Sequence, residues 1–421
     1  MRIVIKNGHL MDHNGDHGIA DLYLNNGVIE GVNLDGDIDQ TVDAANALVT
    51  PAFLDLHCHL REPGHEVKED LASGLNAAAA GGFGTVVGMA NTLPPIDEPG
   101  NITALIEKSE RLRLTRLRLA AALSRGLEGE GMTDFAALQD AGAVMLSNNH
   151  KPITNIHLQR YACEYARELN LLLQSFPHDP KLAQDGVMHE GIVSQELGLP
   201  GIPATAETTM IFRDCEIAHM TGCHVHVSPV STKRGMQVIE WFKEQGAPIT
   251  AEVTPHHLTL TDEAMTLFDP VYKVCPPLRP QEDVDYLRDA LARGVIDNIA
   301  THHAPHTLAE KNHDLLVAPI GIACMEVAFP LLYTQLVRNE IVSLETLLSH
   351  LQEKPANVMG WNVPSLTTGQ PADITILDLQ NAHPVTPSSF QSKAKYSPWT
   401  GQELYGWPVT TIVRGEVIYQ R

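Results

Sequence analysis

The chain has 421 residues, with 29 Lys and Arg against 51 Asp and Glu, a formal charge of −22, and 43% hydrophobic and 19% charged residues. That length and composition are ordinary for a globular protein with one large domain and a smaller one. The acidic balance repels phosphate backbones and anionic lipid surfaces, so neither nucleic acid nor a membrane is an expected partner.

From the N-terminus, RIVIKNG and DLYLNNGVIEGV alternate as strands do, and Asn26-Gly27 between apolar runs predicts a tight hairpin. NALVTPAF continues this pattern, and ADITILDL (372–379) and TTIVRGEVIYQ (410–420) repeat it at the far end. The two β-rich termini are expected to pair as one small β-sandwich domain, residues 1–50 plus 361–421.

Between 51 and 360, short apolar strands alternate with helical stretches. GTVVGMAN follows the Ala-rich EDLASGLNAAAAGG, and AVMLSNN follows DFAALQDAG. LLLQSF and CHVHVSPV each follow a helical pattern, APITAEVTP follows GMQVIEWFKEQG, and VIDNIATHHAP follows EDVDYLRDALARG. Repeated units of this kind predict an α/β fold with a parallel sheet. Eight of them close a (β/α)8 TIM-like barrel, whose active site lies at the C-terminal strand ends. His57, His59, Asn91, Asn148, His226, His256 and His302 all fall at such ends. No stretch of about 18 residues is apolar and free of charge, so no membrane span is expected. The six cysteines form no C-x-x-C pair, which fits reduced thiols in a cytoplasmic protein.

DLHCHLREPG (55–64) sets His57 and His59 two apart on a strand, so both imidazoles share one face and supply half of a tetrahedral zinc site. Arg61 could receive a substrate carboxylate through two parallel hydrogen bonds. NIATHHAPH (298–306) then packs three more histidines behind a short apolar run.

PAFLDLHCHLREPGHEVKED, AAAAGGFGTVVGMANTLPPIDEP, EGIVSQELGLPGIPATAE, STKRG, ITAEVTPHHLTLTDEA, KVCPPLRPQEDVD, IDNIATHHAPHTLAEK and GQPADITILDL together resemble the dihydroorotases of the metal-dependent amidohydrolase superfamily. The resemblance spans essentially the whole chain. It implies a (β/α)8 barrel beside a small β-domain built from both termini. It also implies interconversion of carbamoyl-aspartate and dihydroorotate in pyrimidine biosynthesis, with one or two zinc ions.

Position by position, the resemblance carries over the metal pair His57 and His59, and Arg61, Asn91 and His306 as substrate-carboxylate contacts. Elsewhere the chain departs from the family. Asn148 and Asn149 stand where the family has an acidic pair. Phe176 and Pro229 replace ligand histidines, Cys275 replaces a substrate-facing asparagine, and His302 replaces the catalytic aspartate. Pro229 and Phe176 offer no donor atom, and neutral amides are poor substitutes for a bridging carboxylate. The expectation is therefore zinc at no more than one per chain, on His57, His59 and His302, or none.

A neutral imidazole has one lone pair, so His302 can ligate a metal or take a proton but not both. No residue is thereby assigned as catalytic. The leading expectation is a degenerate member acting as a structural partner of an aspartate carbamoyltransferase catalytic chain, in a homo- or hetero-oligomer. The alternatives are an active single-metal dihydroorotase or other cyclic amidohydrolase, and a binder of an anionic pyrimidine precursor. His226, His256, His257 and His303 are expected to be buried, hydrogen-bonded histidines. His150 and His178 neighbour lost ligands and could rebuild a shifted metal site.

Overall fold

The computed structural model describes residues 1–421. Five strands open the chain: β1 (Arg2–Asp12), β2 (Gly15–Asn25), β3 (Val28–Val32), β4 (Gln40–Asp43) and β5 (Leu48–Pro51). Asn26 and Gly27 both have positive φ, 49° and 85°, the geometry that the Asn-Gly pair predicts between β2 and β3. β1 pairs antiparallel with β2 and, along its other edge, parallel with β4 and then β5.

The barrel begins directly after β5. Its first strands are β6 (Phe53–Cys58), β7 (Phe83–Gly88), β8 (Arg116–Ala122), β9 (Ala143–Ser147) and β10 (Leu172–Ser175). A two-stranded ribbon of β11 (Met188–His189) and β12 (Gly201–Ile202) interrupts the series. β13 (Val225–Val227), β14 (Ile249–Val253) and β15 (Asn298–Ile299) complete it. Each barrel strand is parallel to the next. The chain beyond β15 closes the ring: His302 N–H donates to His57 O at 2.9 Å and His59 N–H to His303 O at 2.8 Å. Leu56, Val87, Met89, Ala120, Met145 and Leu172 fill the interior, and helices cover the outside, as a parallel sheet apolar on both faces requires.

After the barrel, β16 (Ile374–Asp378) returns to pair antiparallel with β5. A short ribbon of β17 (His383–Pro384) and β18 (Glu403–Leu404) follows, then β19 (Trp407–Val413) and β20 (Glu416–Gln420). β19 and β20 extend the same mixed sheet, so both termini contribute to it. Its core includes Ile3, Ile5, Leu22, Val49, Ile374 and Ile412. No helix is long and apolar enough to cross a membrane.

The strand that sequence pattern passes over is β8. Its segment, LRLTRLRLAAAL, is written in Leu, Arg and Ala, which all favour helix, and pairing to β7 and β9 on both sides overrides that preference.

The segment between β17 and β18 is tied to the barrel by buried carboxylates. Glu326 is 8% exposed and accepts the backbone N–H groups of Gln391 and Ser392 at 2.9 and 3.0 Å, while the Ser392 hydroxyl donates to Glu69. Burial pushes the Glu326 carboxyl up to about 7, partly opposed by those two N–H donors. A folded-state value above the unfolded one means that stability is lost as pH rises from about 4.5 to about 7. Glu326→Gln mimics the protonated acid. Its melting temperature relative to the parent is expected to move about 3 °C in the variant's favour between pH 5 and pH 8. An unchanged gap would show that this carboxyl does not carry the dependence.

Candidate active site

β6 delivers two imidazoles to the mouth of the barrel, and the closing segment delivers a third. His57, His59 and His302 are each no more than 1% exposed, and a ligand nitrogen from each lies within 4.8 Å of the others. Ring centroids are 4.5 Å apart for His57 and His302, 5.4 Å for His57 and His59, and 5.5 Å for His59 and His302.

The hydrogen bonds set which nitrogen faces inward. His57 Nδ1 lies 2.8 Å from Glu252 Oε1 and 2.7 Å from Ser228 Oγ; the carboxylate accepts the Nδ1 proton, which leaves the Nε2 lone pair free. His59 Nδ1 lies 2.8 Å from Asn91 Oδ1, which accepts its proton in the same way, and His59 Nε2 is buried with no partner. Both ring nitrogens of His302 are buried without a partner. An oxygen acceptor on one nitrogen and an unused lone pair on the other is the usual arrangement of a metal-binding imidazole. The donor set fits a metal ion.

The Asn149 side-chain amide donates to His57 Nε2, so this lone pair is answered by protein until a metal displaces the amide. Burial, reinforced by neighbouring cations and imidazoles, holds His59 and His302 well below the usual histidine range, so both present neutral nitrogens. The imidazoles of His57 and His226 hold the Glu252 carboxyl well below the usual carboxylate range despite its burial.

A cavity of about 350 Å³ opens beside the three histidines, lined by Arg61, Asn91, His150, Phe176, Cys275 and His306 among others. Arg61 is 8% exposed and touches no carboxylate. Its Nε donates to Pro305 O at 3.1 Å, and its Nη2 lies 3.2 Å from His306 Nε2. Burial lowers its pKa to about 10, leaving the guanidinium charged and unanswered at neutral pH. His306 Nε2 lies 2.9 Å from Ile320 O, and its Nδ1 accepts from Lys68 Nζ at 3.3 Å, so both ring nitrogens already have protein partners.

The departing positions are filled, not open. Asn148 ties down the loop after β9, accepting from Ser124 N–H and Oγ and donating to Lys151 O. Phe176 packs against His150 and His178, at centroid distances of 5.3 and 5.8 Å. Pro229 follows β13 and is buried. Cys275 Sγ lies 3.6 Å from His178 Nδ1.

His150 lies over His59 at 5.0 Å but adds no nitrogen to the three-histidine group, and His178 faces Cys275. Neither rebuilds a shifted metal site. His226 and His257 are hydrogen-bonded as expected, to Thr250 and Glu252 and to Thr254 and Pro276 O. His303 has one long contact on each ring nitrogen, from Met325 N–H to Nδ1 and from Nε2 to Glu69 Oε2, both at 3.5 Å. His256 differs from the expectation outright, for both its nitrogens are buried without partners, 5.9 Å from His302 by ring centroid.

Sequence reading missed Glu252, Ser228 and Asp55. Asp55 is fully buried and accepts the Thr301 N–H and hydroxyl and the His57 N–H, so it fastens the first strand to the closing segment. A lone carboxylate inside the apolar runs FLDLH and ITAEV was the available signal.

Residues 46–235 match the family described as Dihydro-orotase-like. The chain is 47% identical over 407 residues to a protein named dihydroorotase from Deinococcus radiodurans, covering 97% of each chain. The chain belongs to the dihydroorotase family. A dihydroorotase from Thermus aquaticus is 44% identical over 424 residues, covering 99% of both. The fold is shared with the L-hydantoinase of Arthrobacter aurescens, with a TM-score of 0.89 at 24% identity over 99% of this chain and 96% of that one. In this dihydroorotase-family chain, the barrel and the sheet built from both termini are the fold shared with that hydantoinase, and His57, His59 and His302 are the group able to hold a metal.

Proposed function

We propose that the chain is a single-metal dihydroorotase, closing carbamoyl-aspartate to dihydroorotate and reopening it. One observation carries this reading: a buried, charged Arg61 with no carboxylate partner lines a cavity beside three mutually facing imidazoles, of which burial holds His59 and His302 neutral. A cyclic amide bearing a carboxylate answers both. Its carboxylate pairs with Arg61, and the Asn91 NH₂, left over after Oδ1 has accepted from His59, is free to donate to it. That pose sets the ring amide toward the histidines. Zinc on His57, His59 and His302 would supply Lewis acidity toward the amide carbonyl and toward water.

The chain's own residues hold the geometry. Glu252 and Asn91 fix the two strand imidazoles, Asp55 fixes the strand that carries them, and Arg61 orients the substrate. The histidines and Cys275 are the titratable groups lining the cavity beside Arg61, so there is no carboxylate to shuttle a proton. The expected turnover is therefore slow, since a positioned acid–base group is commonly worth about 10²–10⁴-fold.

A second reading rests on the same missing carboxylate and on Asn149 answering His57 Nε2. In it the barrel carries no chemistry and serves as a structural partner of an aspartate carbamoyltransferase catalytic chain. A ring-closure assay separates the two. Chelator-stripped protein is titrated with zinc, and carbamoyl-aspartate consumption is followed. Turnover that rises and levels off near one zinc per chain is expected. Absence of turnover at any zinc level, together with co-purification of the carbamoyltransferase, would establish the second reading instead.

A further inference from the structure

A separate cavity of about 210 Å³ lies at the N-terminal ends of the barrel strands, opposite the histidines. Leu54, Thr85, Arg116 and Arg118 of β6 to β8 form one side, and Trp361 and Pro371 of the connection to β16 form the other. Its two arginines sit two apart on β8 and share a face. Arg116 already has a carboxylate partner: Nη1 donates to Asp373 Oδ2 at 2.7 Å and to Thr85 Oγ1 at 3.2 Å. Asp373 is engaged as well, because its other oxygen accepts the Arg414 N–H at 2.7 Å.

The Arg118 side chain makes no hydrogen bond and no ion pair. Partial desolvation and the adjacent Arg116 both work against its charge, and Glu110, the acid that favours it, is itself paired with Arg414. The chain carries 51 carboxylates and 29 Lys and Arg, so most cations can find an acid. The Arg118 guanidinium stands exposed at the rim of the cavity with no protein partner, so its planar fork is free to take an external anion such as phosphate. Trp361 and the apolar lining add a surface on which a flat ring can stack. A base against Trp361 takes up the enclosed part of the cavity and leaves the sugar and phosphate at the open rim where Arg118 stands, and a dinucleotide is too large for it.

We propose that this cavity binds a nucleoside monophosphate, with the phosphate on Arg118 and the base against Trp361. Such a ligand bridges the barrel strands to the segment leading into the terminal sheet, so binding also fastens the two together.

The test titrates the full chain with uridine 5′-monophosphate, adenosine 5′-monophosphate, uridine and inorganic phosphate by calorimetry and tryptophan fluorescence. Either nucleotide is expected to saturate one site and quench fluorescence, and to bind roughly 10-fold or more tightly than uridine or phosphate. Arg118→Ala is expected to weaken nucleotide binding roughly 10-fold and Arg118→Glu to remove it, at unchanged melting temperature because the side chain is exposed at the rim. Trp361→Phe should remove the quench while keeping calorimetric binding within a few-fold. Arg61→Ala should leave binding intact, which separates this cavity from the active site. Equal binding by Arg118→Glu and the parent, equal binding of uridine or phosphate, loss of binding in Arg61→Ala, or no saturation by either nucleotide would each overturn the proposal.

Discussion

Arg61→Ala is expected to raise the KM for dihydroorotate roughly 100-fold, with a smaller effect on kcat. The side chain is buried at the cavity mouth, where its Nε donates to a carbonyl and its Nη2 lies beside an imidazole, and neither answers its charge. A substrate carboxylate therefore meets a desolvated, oriented cation, where charge-assisted pairs are strongest. That contact is present in the bound substrate and in the transition state alike, so its loss falls mainly on KM. Arg61→Lys keeps the charge but not the fork, and an intermediate KM is expected. Should both variants bind dihydroorotate like the parent, the carboxylate docks elsewhere and the assignment of this pocket fails.

The other large effect concerns the metal. His59→Ala is expected to cut bound zinc from roughly one per chain to a small fraction, and ring closure with it. Two imidazoles rarely retain an ion that three hold. Asn91→Ala tests the supporting contact: without Oδ1 to accept the His59 Nδ1 proton, zinc affinity should fall roughly 10–100-fold. Elemental analysis and competition with a colorimetric chelator read both outcomes independently of turnover. Full zinc retention in His59→Ala would remove His59 from the site.

Much of this was legible in the sequence, and the exceptions share a cause. The H-x-H pair declared itself because period two on a strand places two side chains on one face. The Asn-Gly turn declared itself because few other pairs adopt two consecutive positive φ values. Arg61, Asn91, Phe176, Cys275 and His306 line one cavity, although they come from five separate stretches of chain. What stayed hidden was the partnership between distant residues. Glu252 lies 195 positions from the histidine it orients, and no local pattern announces that contact. β8 stayed hidden for the opposite reason, since its local pattern speaks for helix and only its neighbours make it a strand. His256 shows the limit of a general rule: a buried histidine is usually hydrogen-bonded, and this one is not.

The backbone at Arg61, His150 and His302 lies in the left-handed region, at φ of 63°, 65° and 49°. Residues other than glycine, asparagine and aspartate adopt this conformation at a cost of order 1 kcal/mol or more. An aspartate at 302 would thus sit more comfortably than the present histidine, on the same peptide geometry and with no movement of the chain that seals the barrel. Such a change would alter the chemistry of the site at that one point, while the aromatic ring at 176 and the imino ring at 229 would still offer a metal no donor atom.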